Sequence, residues 1–494
     1  MAIMDEHHDV LIVGAGFAGL GAAIRLRLAG RTDFAILERA DEIGGTWRDN
    51  SYPGAACDVP SHLYSLSFAP NPDWSRSFSG QPEIQRYLLD CVRRFELAPH
   101  LRLGHELESA EWDNAAARWR VRTGRGTFTG RVLVIGTGPL SEPATPPIDG
   151  LDSFAGTVFH SSRWRHDHDL AGARVAVVGT GASAIQFVPR IAGTVRRLTV
   201  FQRTAPWIIP RMDRGITPVE HWLYRNVPGA RLLARAGIYT GREVSAVGFT
   251  MRPALLGVMA RIARSHLHKQ VSDPVLRKEL RPDYTIGCKR VLISNDYYPA
   301  LARTNTRLET APIERVEPDA VRTVDGRRHE VDTIILGTGF TATRPPIARR
   351  LTGRDGLLLA DAWRDGMAAY RGTTVAGFPN MFMLIGPNTG LGHNSMIHVI
   401  ESQLNYLLDA LSKMDTYRVA AVEVEAGTQD AYNDEVQARL GPTVWNTGGC
   451  RSWYLDDTGR NTTLWPSFTW RFRALTRHFD PHGYRLTPRT EVPA

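Results

Sequence analysis

The chain has 494 residues, of which 43% are hydrophobic and 22% charged, so neither a small stapled scaffold nor a mainly disordered chain is indicated. The net charge is +8, from 59 basic and 51 acidic residues, and the excess is concentrated in one stretch at 203–281. None of the four cysteines forms a C-x-x-C pair, so we expect no disulfide framework, no thiol-ligated metal site and a reducing compartment.

The N-terminal residues are polar and acidic, without the basic stretch and cleavage site of a signal peptide. Apolar runs such as Arg131–Ile135 end after a handful of residues, well short of the roughly 18 needed to cross a bilayer. We therefore expect a cytoplasmic protein with no transmembrane segment.

The first predicted element is a strand that runs into a glycine-rich turn and a helix. The turn has the pattern G-x-G-x-x-G at Gly14, Gly16 and Gly19. Such glycines allow a tight turn, close approach to a pyrophosphate and close packing of helix on strand. A second strand ends in Glu38, where a carboxylate can accept hydrogen bonds from a ribose. These features predict a dinucleotide site.

A second copy of this pattern follows a strand at 173–178. Its turn consists of Gly179, Gly181 and Ser183, with Ala184 in the third glycine position. After its second strand, Arg203 stands where an acid would select NADH, and a guanidinium can bind a 2′-phosphate. The second site is therefore predicted to prefer NADPH; the alternative for Arg203 is a solvated loop arginine.

Residues 203–281 contain 14 basic and 5 acidic side chains, with arginines between apolar residues at helical spacing, as in Leu255–Leu267. The pattern predicts a helical subdomain with a solvated basic face. Contact with a membrane surface or a lipophilic substrate is left open. No zinc finger or RNA-recognition motif occurs there, so no nucleic-acid partner is expected.

From Val10 to about Arg473, these motifs resemble those of the class B flavoprotein monooxygenases. The resemblance implies two doubly wound, Rossmann-like α/β domains, with the NADP domain inserted in the FAD domain. The implied domain bounds are 1–150 and 331–494 for the FAD domain and 151–330 for the NADP domain, with a helical insert at about 211–282. FAD and NADP are the implied cofactors, and no metal is expected.

The sequence is most similar to the Baeyer–Villiger branch of that family, because it contains the fingerprint F-x-G-x-x-x-H-x-x-x-W. The fingerprint residues are Phe154, Gly156, His160 and Trp164. Arg165 departs from the Pro or Asp that commonly follows the tryptophan. The resemblance gives His160 a structural role in linking the domains; proton transfer is the alternative.

The same resemblance implies further site residues. Gly45, Thr46 and Trp47 precede a stretch that lies along the flavin and ends in an active-site aspartate, Asp58. The alternative for Asp58 is a helix cap. By the same similarity, the turn with Asn388 lies near the flavin, and Trp453 folds over bound NADP. For Trp453 a plain core position is the alternative.

Arg290 is the expected positive partner of Asp58. In such enzymes a C4a-peroxyflavin must stay anionic to attack a carbonyl carbon, and a guanidinium supplies a charge that cannot be lost. By similarity Lys289 joins Arg203 and Thr204 around the 2′-phosphate; a surface lysine is the alternative.

The predicted function is NADPH- and O₂-dependent monooxygenation of a small, lipophilic ketone to an ester or lactone. The alternatives are heteroatom oxidation at N or S, an NADPH–flavin reductase that never oxygenates, and a redox-silent flavin-binding module.

Overall fold

In the computed structural model, which describes residues 5–489, strands and helices alternate along most of the chain. In chain order the strands are β1 (Asp5–Val13), β2 (Phe34–Glu38), β3 (Leu101–Leu103), β4 (Leu107–Asp113), β5 (Arg118–Thr123), β6 (Gly126–Ile135), β7 (Thr157–His160), β8 (Arg174–Val178), β9 (Arg197–Phe201), β10 (Ile208–Ile209), β11 (Leu292–Ile293), β12 (Thr306–Glu309), β13 (Ile313–Glu317), β14 (Ala320–Thr323), β15 (Arg328–Glu330), β16 (Thr333–Leu336), β17 (Leu351–Thr352), β18 (Met381–Met383), β19 (Val419–Val424) and β20 (Tyr484–Pro488). The α-helices are α1 (Phe17–Leu28), α2 (Thr46–Asp49), α3 (Gln81–Arg94), α4 (Ala184–Ile191), α5 (Pro218–Asn226), α6 (Ala230–Thr250), α7 (Leu256–Gln270), α8 (Pro274–Glu279), α9 (Tyr297–Leu301), α10 (Leu359–Ala362), α11 (Met396–Thr416), α12 (Ala426–Leu440), α13 (Val444–Thr447) and α14 (Thr469–Leu475).

The first sheet has the order β17-β4-β5-β6-β1-β2-β3, and β18 also pairs with β6. Its central strands β1, β2 and β6 are parallel, and their apolar runs are buried on both faces, as in doubly wound sheets. Helices α1 and α11 pack closely on one face: a Cβ on Gly21 would lie 3.3 Å from a methyl group of Leu404. The first glycine turn follows the carboxyl end of β1 and so lies at the edge where the parallel strands end.

The second sheet is entirely parallel, in the order β12-β9-β8-β16-β7. All its strands lie between the two chain segments that build the first sheet, so the predicted insertion of one doubly wound domain in another is confirmed. The predicted domain boundary at 330/331 does not match the structure. The strand β16 follows it in sequence but pairs with β7 and β8 of the second sheet rather than with the first sheet. A short apolar strand carries no local mark of the sheet it joins.

The helical insert leaves the second domain after β10 and returns at β11, and these two short strands pair in parallel. It contains α5 to α8. Thr217 caps α5 in a reciprocal capping box with Glu220. Within residues 5–489 no single helix is long and apolar enough to cross a membrane. Only Ala230–Thr250 taken together with Pro253–Gln270 meets that criterion, and this pair is bent by 119°.

Candidate active site

The first glycine turn joins β1 to α1 through a backbone that admits no side chains. Gly14 has a φ of +98°, and a Cβ on it would lie 2.9 Å from the carbonyl oxygen of Gly136. A Cβ on Gly19 would lie 1.8 Å from the carbonyl oxygen of Gly14. Helix α1 has no side-chain cap and no acidic residue in its first turn. Its N-terminal N–H groups are therefore free to bind an anion.

A second glycine pair faces this turn and completes a backbone cradle. A Cβ on Gly45 would lie 3.2 Å from the Cα of Gly16, so the two backbones are in contact. Thr46 and Trp47 begin α2 directly after Gly45, and the Trp47 indole N–H donates to the Tyr64 hydroxyl at 3.1 Å. A cradle without side chains at a helix N-terminus fits the pyrophosphate of FAD.

Glu38, at the end of β2, is bound by protein groups on both of its carboxylate oxygens. Its Oε2 accepts the Ala15 N–H at 2.8 Å, and its Oε1 accepts Arg48 at 2.9 Å and the Ala40 N–H at 3.0 Å. The side chain is buried. Arg48 was not predicted, because nothing in its spacing indicates that it is the partner of this carboxylate. The ribose contact of Glu38 stays a prediction.

The second glycine turn joins β8 to α4 and resembles the first turn in its backbone. Gly179 has a φ of +106°, and a Cβ on it would lie 2.5 Å from the carbonyl oxygen of Gly337. Around Gly181, by contrast, no atom of residues 5–489 outside its chain neighbours lies within 4 Å of such a Cβ, which leaves room for a ligand. Ser183 immediately precedes α4, which has neither a side-chain cap nor an acidic residue in its first turn. This turn fits the pyrophosphate of NADP.

Two positive charges stand beside the second turn. Arg203 is exposed after β9, and Lys289 is half-buried with its ammonium 5.1 Å from the centre of the Tyr284 ring. Burial and the nearby charge of Arg203 lower the pKa of Lys289. Thr204 lies against the turn, where the Thr180 hydroxyl donates to its carbonyl oxygen at 3.3 Å. Two cations that repel each other in this place fit a dianionic 2′-phosphate.

Asp58 and Arg290 are 232 positions apart in sequence and form an ion pair. The Arg290 Nε and Nη2 each lie 2.6 Å from Asp58 Oδ2, and each side chain is 30% exposed. Burial would raise the pKa of Asp58, but the charge of Arg290 outweighs it and holds the pKa below its usual value. Asp58 in turn raises the pKa of Arg290, so the guanidinium is permanently charged.

Arg242 of α6 is a second arginine at this pair, and the sequence analysis missed it. Its Nη2 donates to the backbone carbonyl oxygen of Asp58 at 2.8 Å, and its Nε is buried without a hydrogen-bond partner among the described residues. Burial lowers the pKa of Arg242, and the charge of Asp58 opposes this effect. Arg242 therefore fixes the backbone of Asp58 and adds positive charge to the cleft.

The solvated basic face predicted for the insert does not include Arg235 and Arg242 of α6, which are turned toward the protein. Arg235 is only 16% exposed, and its Nη1 donates to the carbonyl oxygens of His62 at 2.9 Å and Ser65 at 2.8 Å. It is turned inward like Arg242, whereas Arg261 and Arg264 of α7 are exposed as predicted. Helical spacing places arginines on one face but cannot tell which face the protein covers.

Gln186 of α4 joins the two domains beside the pair and was also missed. Its amide nitrogen donates to the Ala56 carbonyl oxygen at 2.9 Å, and its amide oxygen accepts the Tyr52 hydroxyl at 3.0 Å. The Asp58 loop is thereby held by both the NADP domain and the insert.

A disulfide links Cys288 to Cys450, contrary to the expectation that the cysteines are unpaired. The two residues are 162 positions apart, and the sequence offers no spacing that pairs them. The bond fastens the segment just before Arg290 to the segment that carries Trp453. Cys57 and Cys91 are buried and free.

The fingerprint residues lie where the second sheet meets the crossover between the domains. Phe154 and His160 are buried, and a Cβ on Gly156 would lie 2.3 Å from the Asp332 carbonyl oxygen. The His160 Nδ1 bonds the Ser162 hydroxyl at 2.8 Å, and its ring lies 5.6 Å from that of Phe340 on the crossover. Trp164 packs on Phe159 and Phe187. Arg165 is exposed and pairs with Asp167.

Two buried histidines predict that stability falls on acidification from about pH 6.5 to pH 4. Burial lowers the pKa of His160 and of His398 to about 4, from an ordinary value of 6.5. Between these values the unfolded chain binds more protons than the folded one, so stability is present above this window and lost through it. We expect the double variant His160→Asn/His398→Asn to show a shallower fall of melting temperature, by several degrees. His482→Asn, at an exposed histidine, is the control; an unchanged slope in the double variant contradicts the assignment.

Two further predicted residues differ in their surroundings. Trp453 is 48% exposed, which excludes the core alternative. Asn388 is buried and its amide donates to the carbonyl oxygens of Asn461 at 2.8 Å and Leu464 at 3.1 Å, while its Oδ1 has no partner among residues 5–489. Contact of either residue with a cofactor stays a prediction. In the same range no three metal-ligating side chains cluster as a metal site.

A known family and a curated relative match this chain. The family described as pyridine nucleotide-disulphide oxidoreductase matches residues 11–221. A Baeyer–Villiger monooxygenase of Streptomyces coelicolor is 52% identical over 483 residues, which cover 97% of this chain and 93% of the relative. The chain belongs to the Baeyer–Villiger monooxygenases.

Solved structures extend this finding to the whole fold. The closed form of cyclohexanone monooxygenase matches with a TM-score of 0.87 at 27% identity, covering 98% of this chain and 100% of that one. The structure of OTEMO with FAD and NADP matches with a TM-score of 0.88 at 28% identity, covering 97% and 99%. This Baeyer–Villiger monooxygenase is therefore a flavin-dependent enzyme with FAD and NADP as cofactors, as predicted.

Proposed function

We propose that this Baeyer–Villiger monooxygenase converts a lipophilic ketone into an ester or lactone, with NADPH as the reductant and O₂ as the source of the inserted oxygen. The observation that carries the proposal is the Asp58–Arg290 pair, a permanently charged guanidinium held at 2.6 Å by a carboxylate. Bound FAD supplies electron transfer from NADPH and the activation of O₂. The cyclohexanone monooxygenase with the same fold supports a carbonyl substrate.

In this proposal Arg290 and Asp58 are the catalytic residues. The guanidinium stabilises negative charge on the oxygen that attacks the carbonyl carbon and on the carbonyl oxygen as it is attacked. Asp58 orients the guanidinium, and Arg242 fixes the backbone of Asp58 through its carbonyl oxygen. A fixed donor in a partly shielded cleft costs no reorganisation when charge develops.

The remaining predicted residues bind the cofactors. The first cradle of Gly14, Gly16, Gly19, Gly45, Thr46 and Trp47, with Glu38, holds FAD, and the second turn of Gly179, Gly181 and Ser183, with Arg203, Thr204 and Lys289, holds NADP. His160 and Trp164 set the position of the NADP domain against the crossover. Exposed Trp453, tethered near Arg290 by the Cys288–Cys450 disulfide, covers the bound coenzyme.

Product analysis under ¹⁸O₂ tests the reaction. Holoenzyme with NADPH and a panel of cyclic and aryl ketones should yield esters or lactones carrying one ¹⁸O atom. Oxidation of sulfides or amines with no ketone product would favour heteroatom oxidation instead. Consumption of NADPH with no labelled product from any class would favour a reductase.

A cytoplasmic location belongs to the same proposal. The reducing compartment expected from the cysteine spacing is no ground for it, because Cys288 and Cys450 form a disulfide. Fractionation of cells that express the protein tests it.

A further inference from the structure

The helical insert carries an unusual share of the exposed apolar side chains. Of the 21 large apolar residues exposed within residues 5–489, 12 lie between Met212 and Ile262, about a tenth of the chain. Leu233 is 75% exposed, Val244 67% and Val258 61%. Concentrations of exposed apolar surface of this kind mark interaction sites.

Helix α6 presents an uncharged stripe with exposed apolar residues to solvent, and its arginines Arg235 and Arg242 face the protein. At about 100° per residue, one line along the helix, within about 40°, contains Leu233, Gly237, Thr240 and Val244, and its extension reaches Met251, the first residue after the helix. All five are exposed and uncharged, and the stripe is about 27 Å long. Arg235 and Arg242 lie about 180° away, bonded to backbone carbonyl oxygens of the first domain.

The exposed apolar surface continues on both sides of α6. On α7, Val258 and Ile262 are exposed one turn apart, and Trp222 is 59% exposed on α5. The 119° bend between the two long helices prevents them from crossing a bilayer as one span. A bent pair with an outward apolar stripe suits a position in the plane of a membrane interface.

The charge of this region identifies the partner. From α5 to α7, residues 218–270 contain eight basic side chains and two acidic ones. Glu220 pairs with Arg214, and Glu243 is buried and bonded to Thr469 and Asn394. Arg252, Arg261 and Arg264 are exposed beside the apolar residues. A second copy of the chain would set this positive surface against itself, whereas anionic lipid headgroups complement it.

We propose that α5, α6 and α7 form a docking surface for a bilayer that contains anionic phospholipids. The stripe of α6 and the exposed residues of α7 enter the boundary between headgroups and acyl chains, and Arg252, Arg261 and Arg264 bind lipid phosphates. Because Arg242 on the opposite side of α6 contacts Asp58, the docking surface is about 10 Å, one helix diameter, from the active-site pair. A substrate dissolved in the bilayer would have a short path to the cleft.

Co-sedimentation of FAD-loaded full-length protein with vesicles tests this proposal. At 150 mM salt, most of the protein should sediment with vesicles of 70% phosphatidylcholine and 30% phosphatidylglycerol, and little with phosphatidylcholine alone. The triple variant Leu233→Ser/Val244→Ser/Met251→Ser should bind the mixed vesicles at least about tenfold more weakly. Arg252→Gln/Arg261→Gln/Arg264→Gln should lose about fivefold per charge.

Leu28→Ser/Val324→Ser removes two apolar residues with similar exposure far from the insert and should bind as the unaltered protein does. Flavin absorbance and the melting temperature report that each variant is folded. Recovery in the supernatant with mixed vesicles, or undiminished binding of the apolar variant, overturns the proposal. Concentration-dependent dimerisation abolished by the apolar variant would assign the surface to a second copy. The test measures binding and does not depend on the ketone reaction.

Discussion

Replacing Arg290 with alanine should abolish ester formation while FAD stays bound and NADPH still reduces it. Arg290 is the guanidinium that stabilises developing negative charge, and removal of one such fixed donor costs at least about 10²- to 10³-fold in rate. Asp58 would also lose its partner, so the pKa of its carboxyl should rise from the depressed value toward the raised one that burial favours. Product yield and the anaerobic rate of flavin reduction by NADPH, measured side by side, check both parts.

Two variants make that result specific. Arg290→Lys keeps a positive charge but not the planar fork that places Nε and Nη2 on one carboxylate oxygen, so an intermediate loss is expected. Arg364→Ala removes a 77% exposed arginine elsewhere and should change neither the product yield nor the rate of flavin reduction. Unchanged ester yield in Arg290→Ala would contradict the role, and equal loss of flavin reduction and oxygenation would point to a general disturbance of the fold.

The glycine turns could be predicted from sequence because their physics is local. Gly14 has a φ of +98°, and a Cβ on Gly19 would lie 1.8 Å from the carbonyl oxygen of Gly14, so both positions require glycine. The Asp58–Arg290 pair could be predicted only through the resemblance to the family, since the two residues are 232 positions apart. Composition and spacing would not have brought them together.

What the sequence could not predict depends on contacts between distant segments. Cys288 and Cys450 are paired only because the insert and the C-terminal region fold onto each other. Arg242 lies in the active site because α6 turns its charged side inward, and helical periodicity is the same for either orientation. The strand β16 joins the second sheet by register with β7 and β8, which no local pattern encodes.

Alanine at Arg203 or Lys289 should weaken NADPH binding far more than NADH binding. A charge-assisted hydrogen bond to the 2′-phosphate is worth roughly 10- to 100-fold in affinity, so the KM for NADPH should rise by about that factor in each variant. The KM for NADH should change little, because NADH has no phosphate there. Within residues 5–489 Lys289 forms no salt bridge that this change would break, and the removal of one of two repelling cations should not destabilise the free protein.

The melting temperature separates a coenzyme-binding role of Lys289 from a structural one. Burial and Arg203 disfavour the charged form of Lys289 more than the charge of Asp283 favours it, so the free enzyme bears a cost that a bound anion offsets. Lys289→Ala should therefore keep or raise the melting temperature without coenzyme and lose most of the stabilisation that NADP⁺ adds. A lowered melting temperature together with equal effects on NADPH and NADH would show that Lys289 supports the fold, and the 2′-phosphate would then have to be bound by Arg203 and Thr204 alone.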